Sequence, residues 1–284
     1  MSRDKLFVFL IEDKCYFCAM KKFLVSMFFS LACLFAVAQT VDLWSAEADA
    51  ENFYVDKLGN IYLVKNNVVG KYDDKMNKLC SYDNYSAGSI SSVDVANPFK
   101  IIVFYSEFNK VVYLDNNLAE LRSPIMIDDA GFYNIRAVCS SSFGGFWIFD
   151  EQDICVRRIE TDLSSTQKGT NLYESLGDAN VLEMKESINY LFLRSETGKI
   201  LVLDRFGNYF RTVEVGEDCS RFCVDNDILY VNSSGKIKIY DMTAEKEGEI
   251  LLDGKEASIF CVWHDMLYVL SNGKITCSKI QFEK

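Results

Sequence analysis

The sequence predicts an all-β protein assembled from a repeated unit of about forty residues, on three observations. Apolar, aromatic-rich tetrads recur along the chain. Polar turns, several centred on glycine, join each tetrad to a second short strand that often closes on aspartate. Past residue 40, no run of apolar residues holds the 3.6-residue period of a helix.

The tetrads begin at Ile61, Ile101, Phe146, Tyr190, Leu229 and Leu267. Four of the following strands close on an aspartate: Asp73, Asp115, Asp204 and Asp241. That residue type suits a turn because its carboxylate can accept the backbone N–H two residues on. Gly198, Gly235 and Gly273 mark tight hairpins between paired strands. Six copies of such a unit predict a six-bladed β-propeller. The last copy supplies three strands, at 258–263, 266–270 and 274–280, before the chain ends. The short alternating segment 40–44 has no partner in the first copy, so it is expected to complete the last blade and hide two sheet edges.

The first nineteen residues precede a second apparent beginning. Met20-Lys21-Lys22 opens a charge-free run from Phe23 to Ala38, ending in Ala36-Val37-Ala38 before Gln39. A basic start, an apolar centre and small residues for a peptidase make the pattern of an export signal. The run is short of the roughly 20 residues a membrane-spanning helix needs. The expected organisation is therefore an upstream extension at 1–19 that is not retained, a signal peptide at 20–38 and one propeller domain at 39–284. The mature chain is expected at the periplasm or cell surface, with no stable membrane span and as a monomer.

The net charge of −11 repels phosphate backbones, which argues against a nucleic-acid partner. Seven cysteines follow the expected cleavage point, an odd count that does not suggest a disulfide framework. Counting back from the tetrads sets Val55, Val95, Cys139, Met184, Cys223 and Cys261 in one column, which reads as a small apolar packing position. Such positions on neighbouring blades are expected to lie beyond the ~4.4–6.8 Å Cα spacing of a disulfide.

Pattern and period together resemble the divergent NHL-repeat or quinoprotein-like propellers of exported bacterial proteins, over residues 40–282. The chain departs from WD-repeat proteins in having no Gly-His…Trp-Asp pair. The resemblance brings no catalytic residue with it. His264, the one histidine, lies in the expected turn Trp263-His264-Asp265 and cannot build a multi-histidine metal centre. No nucleophile elbow, phosphate loop or dinucleotide fingerprint is present in a suitable context, so no cofactor and no enzymatic activity are expected.

Function then falls to the long connections on one rim, at 83–92, 128–133 and 164–180, with the turn at 107–109 beside them. Tyr85, Phe108, Phe132, Tyr133 and Tyr173 are the candidate anchors for a protein partner in the cell envelope. The competing expectation is a lyase- or hydrolase-type enzyme, or a small-ligand binder, with a metal such as calcium in the central channel. Mass spectrometry of the exported protein should find Gln39, or a residue within two of it, at the N-terminus. An exported chain still carrying Cys15 and Cys18 would contradict the reading of two starts.

Overall fold

In the computed structural model of the chain, which describes residues 35–84, 87–233, 235–252 and 259–282, nearly every element is a β-strand. The extended strand β1 (Phe35–Glu47) comes first. Next, β2 (Asn52–Val55), β3 (Ile61–Lys65), β4 (Val68–Tyr72) and β5 (Lys78–Asp83) form one antiparallel sheet. A second sheet holds β6 (Ser92–Asp94), β7 (Ile101–Tyr105), β8 (Lys110–Leu114) and β9 (Ile125–Met126). The third is β10 (Val138–Ser140), β11 (Phe146–Asp150), β12 (Cys155–Ile159) and β13 (Ser165–Lys168). One helical turn, α1 (Tyr173–Leu176), leads to the fourth. That sheet is β14 (Val181–Glu186), β15 (Tyr190–Ser195), β16 (Lys199–Asp204) and β17 (Tyr209–Glu214).

The remaining strands are β18 (Phe222–Asp225), β19 (Ile228–Ser233), β20 (Lys236–Asp241), β21 (Lys246–Leu251), β22 (Ile259–Trp263), β23 (Met266–Ser271) and β24 (Lys274–Phe282). With β1 they make a single eight-stranded sheet in the order β18-β19-β20-β21-β1-β24-β23-β22. The sheets follow one another around a central cavity, the arrangement of a β-propeller. Among the described residues no helix is long and apolar enough to cross a membrane.

The tetrads form the second strands, and their continuous apolar character has a packing cause. Ile101–Tyr105 and Phe146–Asp150 are buried on both faces because each lies between neighbouring sheets. Phe104 and Tyr113 meet Phe146 and Ile148 across one such boundary, with Tyr113 and Phe146 edge to face at 6.5 Å. Fully burying side chains of this size stabilises by about 1.5–3 kcal/mol each. The aspartate turns form as expected. Asp73 Oδ1 accepts from Lys75 N at 2.9 Å, Asp115 from Asn117 N at 2.8 Å and Asp204 from Phe206 N at 2.8 Å. The β23–β24 hairpin turns on Asn272 and Gly273, both at positive φ, which a tight hairpin between twisted strands requires.

β1 pairs antiparallel with β24 from Ala38↔Phe282 to Glu47↔Lys274, with a bulge between Asp42 and Trp44. The expected closing strand is thus present and longer than 40–44. Its first residues also pair in parallel with β21, from Phe35↔Glu247 to Ala38↔Ile250. The strand begins four residues ahead of the expected cleavage point, so cleavage would keep the β24 pairing from Gln39 onward and remove the parallel segment. The rest of the expected signal, 20–34, and the extension 1–19 lie outside the described residues. The connection expected at 164–180 is not a plain loop, since β13 and α1 lie within it.

Register corrects the cysteine column. The first-strand residues facing equivalent second-strand positions are Tyr54 (opposite Tyr62), Asp94 (Ile102) and Cys139 (Trp147). Lys185 (Phe192), Cys223 (Tyr230) and Cys261 (Tyr268) continue the series. Turn lengths between first and second strands differ by a residue, and a one-residue slip moves a side chain to the other face of its sheet. The column is therefore chemically mixed, not uniformly small and apolar.

Each member reaches the backbone of the next first strand. Tyr54 Oη accepts from Val93 N at 3.4 Å, and Asp94 Oδ2 accepts from Ser140 N at 2.8 Å. The Cys139 thiol meets the backbone of Glu186, and Lys185 Nζ donates to Phe222 O at 2.7 Å. Cys223 Sγ accepts from Val262 N at 3.2 Å, and the Cys261 thiol meets the backbone of Val55. At the same junction Trp263 packs on Gly59, where a Cβ would stand 3.3 Å from the indole.

Deleting residues 40–46 should strip β24 of its outer partner and remove Trp44 from its edge contact with Tyr268. The expected loss is roughly 3 kcal/mol or more, a fall in Tm of about 10 °C by calorimetry. An unchanged Tm would contradict closure by this strand.

Candidate functional site

The first strands wall a central cavity of about 920 Å³. In β14 the period-two alternation sends Glu183 and Lys185 to the same face, toward that space. Arg194 on β15 stands opposite Glu183 in the ladder, and Arg221 enters from the residue before β18. Three cations converge on one carboxylate. Lys185 Nζ lies 3.2 Å from Glu183 Oε1, Arg194 Nε 3.4 Å from Oε2 and Arg221 Nη1 3.8 Å from Oε1. Lys185 also stands 5.0 Å from the Phe222 ring centroid, and the Arg221 guanidinium 6.0 Å from that of Tyr54.

The side chains of this cluster are 14–29% exposed, so the charges interact with little solvent screening. Burial by itself would raise the Glu183 carboxyl. Lys185, Arg221 and Arg194 outweigh that effect and hold it below its ordinary value. Burial works against charge on Lys185 too, and Glu183 reverses the balance and raises it. One carboxylate facing three permanent or near-permanent cations leaves the cluster with an excess of positive charge. The cavity wall also carries donors without a protein partner among the described residues, Trp263 Nε1 and Arg205 Nε. An anionic group entering the cavity would meet this excess of positive charge on its wall.

None of the cluster was anticipated from the sequence. The available signal was the charged run Leu182-Glu183-Met184-Lys185-Glu186, where other first strands read Phe222-Cys223-Val224 or Phe260-Cys261-Val262. Charge in an innermost strand has no solvent face to reach, so it points either to a pairing partner or to a ligand.

The expected rim residues are placed as follows. Phe108 lies in a single 3-10 turn after β7 and is half-exposed. The adjoining Asn109 ties this turn to the next loop: its Nδ2 donates to Asp128 at 2.7 Å and its Oδ1 accepts from Ile135 N at 3.0 Å. That loop carries Phe132 and Tyr133, which differ. Tyr133 is 60% exposed, whereas Phe132 packs against the core beneath the Arg157 guanidinium, 5.2 Å from its centroid. Tyr173, half-exposed, opens α1, whose start is held to the β11–β12 turn by Leu172 N donating to Ile154 O at 2.8 Å. Tyr85 lies outside the described residues.

His264 is an exposed turn residue in edge contact with Trp263. Asp150, Asp153 and Cys155 cluster closely enough to suggest a metal site, but Arg157 already pairs with both carboxylates and Lys168 with Asp153.

No protein-family model and no curated protein matches the chain. Solved structures do resemble it. The Pan2 WD40 domain of Neurospora crassa superposes with a TM-score of 0.57 at 10% identity, over 86% of this chain and 98% of that one. Virginiamycin B lyase from Staphylococcus aureus gives 0.55 at 12% identity, over 80% and 79%. A chain of the mitotic checkpoint complex gives 0.56 at 11%, over 84% and 92%. At such identities the likeness is one of fold, and the fold is propeller-like.

The Glu183 cluster should show in the pH dependence of stability. A carboxyl held low in the folded state contributes stability above its unfolded value of ~4.3, and loses it as pH falls through the lower folded value. At pH 7, Glu183→Gln should cost roughly 3 kcal/mol by leaving three cations unpaired. Calorimetry should find the gap between this variant and the unaltered protein closing as pH drops below about 4. A gap that stays constant with pH would contradict the assigned ion pairing.

Proposed function

We propose that this protein is an exported, non-enzymatic binding propeller that takes up a small organic anion in its central cavity. The observation that carries the reading is the set of three cations around the carboxylate of Glu183, inside a cavity of a chain whose net charge is −11. Positive charge left in excess on a partly buried surface is costly, and a carboxylate, phosphate or sulfate group offsets it directly. Arg194 and Arg221 add the planar fork that binds such groups in two-point fashion. The cavity volume falls within the range of about 300–1,000 Å³ typical of small-molecule sites.

At the Glu183 cluster, binding is favoured over general acid–base catalysis because Glu183 is held ionised by its neighbours, which suits neither a general acid nor a base tuned near neutral pH. In the same reading the eight-stranded sheet is two four-stranded blades joined edge to edge through β1, giving six blades of the NHL-repeat or quinoprotein-like kind. Export rests on the signal-like segment at 20–38. A protein partner on the loop rim is the second reading, favoured by the exposure of Phe108, Tyr133 and Tyr173.

Thermal-shift measurements with phosphate, sulfate, succinate and citrate, against sodium chloride at matched ionic strength, test the cavity reading. A bound anion at about 100 times its Kd should add roughly 2.7 kcal/mol, or about 5–10 °C. Arg221→Met and Lys185→Met should each abolish the shift while melting cooperatively. No shift above the chloride control with any of the four, or a shift retained in both variants, would overturn it.

A further inference from the structure

Two thiols on adjacent first strands share the wall of the same cavity. Cys223 Sγ on β18 lies 3.6 Å from Cys261 Sγ on β22, with no bond between them. That is sulfur–sulfur contact, and a shift of about 1.5 Å would bring them to bonding distance. Such positions were expected to stand beyond the Cα spacing of a disulfide, and the two sulfurs nonetheless touch. We propose that Cys223 and Cys261 form a dithiol redox site, which closes to a disulfide by exchange with a small-molecule disulfide entering the cavity.

The surroundings of Cys223 differ from those of every other described cysteine. Its contact with the Cys261 thiol, in which either sulfur can donate, lowers its pKa from the ordinary thiol value, against the opposing effect of burial. Lys185 from β14 and the Val262 N–H from β22 act in the same direction, while Asp225 on its own strand acts against. Tyr230 faces it from β19, with its phenol pushed up by burial and neutral in this range. By contrast, burial pushes Cys80, Cys139, Cys155 and Cys277 upward, and Cys219 up to about 11. The neighbouring Cys223 and burial raise Cys261 as well. The pair therefore sets a thiol shifted toward ionisation in contact with one that holds its proton more tightly, the arrangement needed for exchange followed by resolution.

The steps balance as follows. The Cys223 thiolate attacks one sulfur of the incoming disulfide, breaking its S–S bond and releasing one thiolate, which takes up a proton. Cys261 gives up its proton and attacks Cys223 Sγ in the mixed disulfide, releasing the second thiolate. The two protein thiols are oxidised by two electrons and the small disulfide is reduced to two thiols. The new bond would join β18 to β22 where these strands already meet through Val262.

Oxidised glutathione is the probe, added to the full chain under native conditions and quenched with acid. Remaining thiols are then alkylated in denaturant and the tryptic peptides mapped. Cys223 and Cys261 fall in different peptides, bounded by Arg221, Lys236, Lys255 and Lys274. The expected product is one cross-linked pair of those peptides, with the chain lighter by two hydrogens. Cys261→Ser should instead accumulate a glutathione mixed disulfide at Cys223. Cys223→Ser should slow the reaction roughly tenfold at pH 7.5, and the rate for the unaltered chain should climb with pH below the ordinary thiol value of ~8.5. Recovery of both cysteines as alkylated thiols, or a linkage that excludes either, would overturn the proposal. The unaltered protein decides that point by itself, whether or not a variant folds.

Discussion

Between one first strand and the next there is no backbone ladder, and a single column of side chains takes its place. Tyr54, Asp94, Cys139, Lys185, Cys223 and Cys261 each reach a backbone group of the following strand around the cavity. The backbone groups they meet stand at the narrow centre, where an unsatisfied donor or acceptor would cost about 1–3 kcal/mol. Any residue in the column must therefore be able to hydrogen-bond as well as fit. Valine could not do this, which is the physical reason the column holds phenol, carboxylate, ammonium and thiols.

The same constraint brings reactive chemistry to the cavity wall. Lys185 is needed by Phe222 O, and holding an ammonium there requires a counter-charge, which Glu183 supplies from the same face of β14. Arg194 and Arg221 then over-compensate that carboxylate. Where the column holds thiols at two successive positions, the geometry leaves them in contact with each other. Structural bonding and candidate function thus use the same side chains, unlike the loop rim, where packed and exposed aromatics are separable. Phe132 shows how that separation is drawn: it packs under Arg157 as part of the scaffold, while its neighbour Tyr133 is left to solvent.

Strand positions, aspartate turns and the closing strand were legible in the sequence because each depends on short-range pattern. Ile101–Tyr105 reads as a continuous apolar run since both its faces are covered, and Asp204 reads as a turn because it bonds Phe206 N two residues on. The register of the first strands was not legible. It depends on turn lengths that differ by one residue, so counting back to Met184 and Val95 named the residues next to Lys185 and Asp94. The slip named residues on the opposite face from those that reach the next first strand, and concealed the site with it. Glu183, Arg194 and Arg221 were invisible for a further reason. They lie on separate segments, and the ring alone brings them together.

The account depends on the Glu183 cluster receiving an anion. NMR observation of the side-chain nitrogens of Lys185, Arg194 and Arg221 during titration with phosphate or succinate tests that most directly. The account predicts saturable shifts of these three resonances, with Lys and Arg side chains outside the cavity unmoved at matched ionic strength. Shifts confined to exposed surface residues, with the three cavity resonances unchanged at saturation, would contradict it.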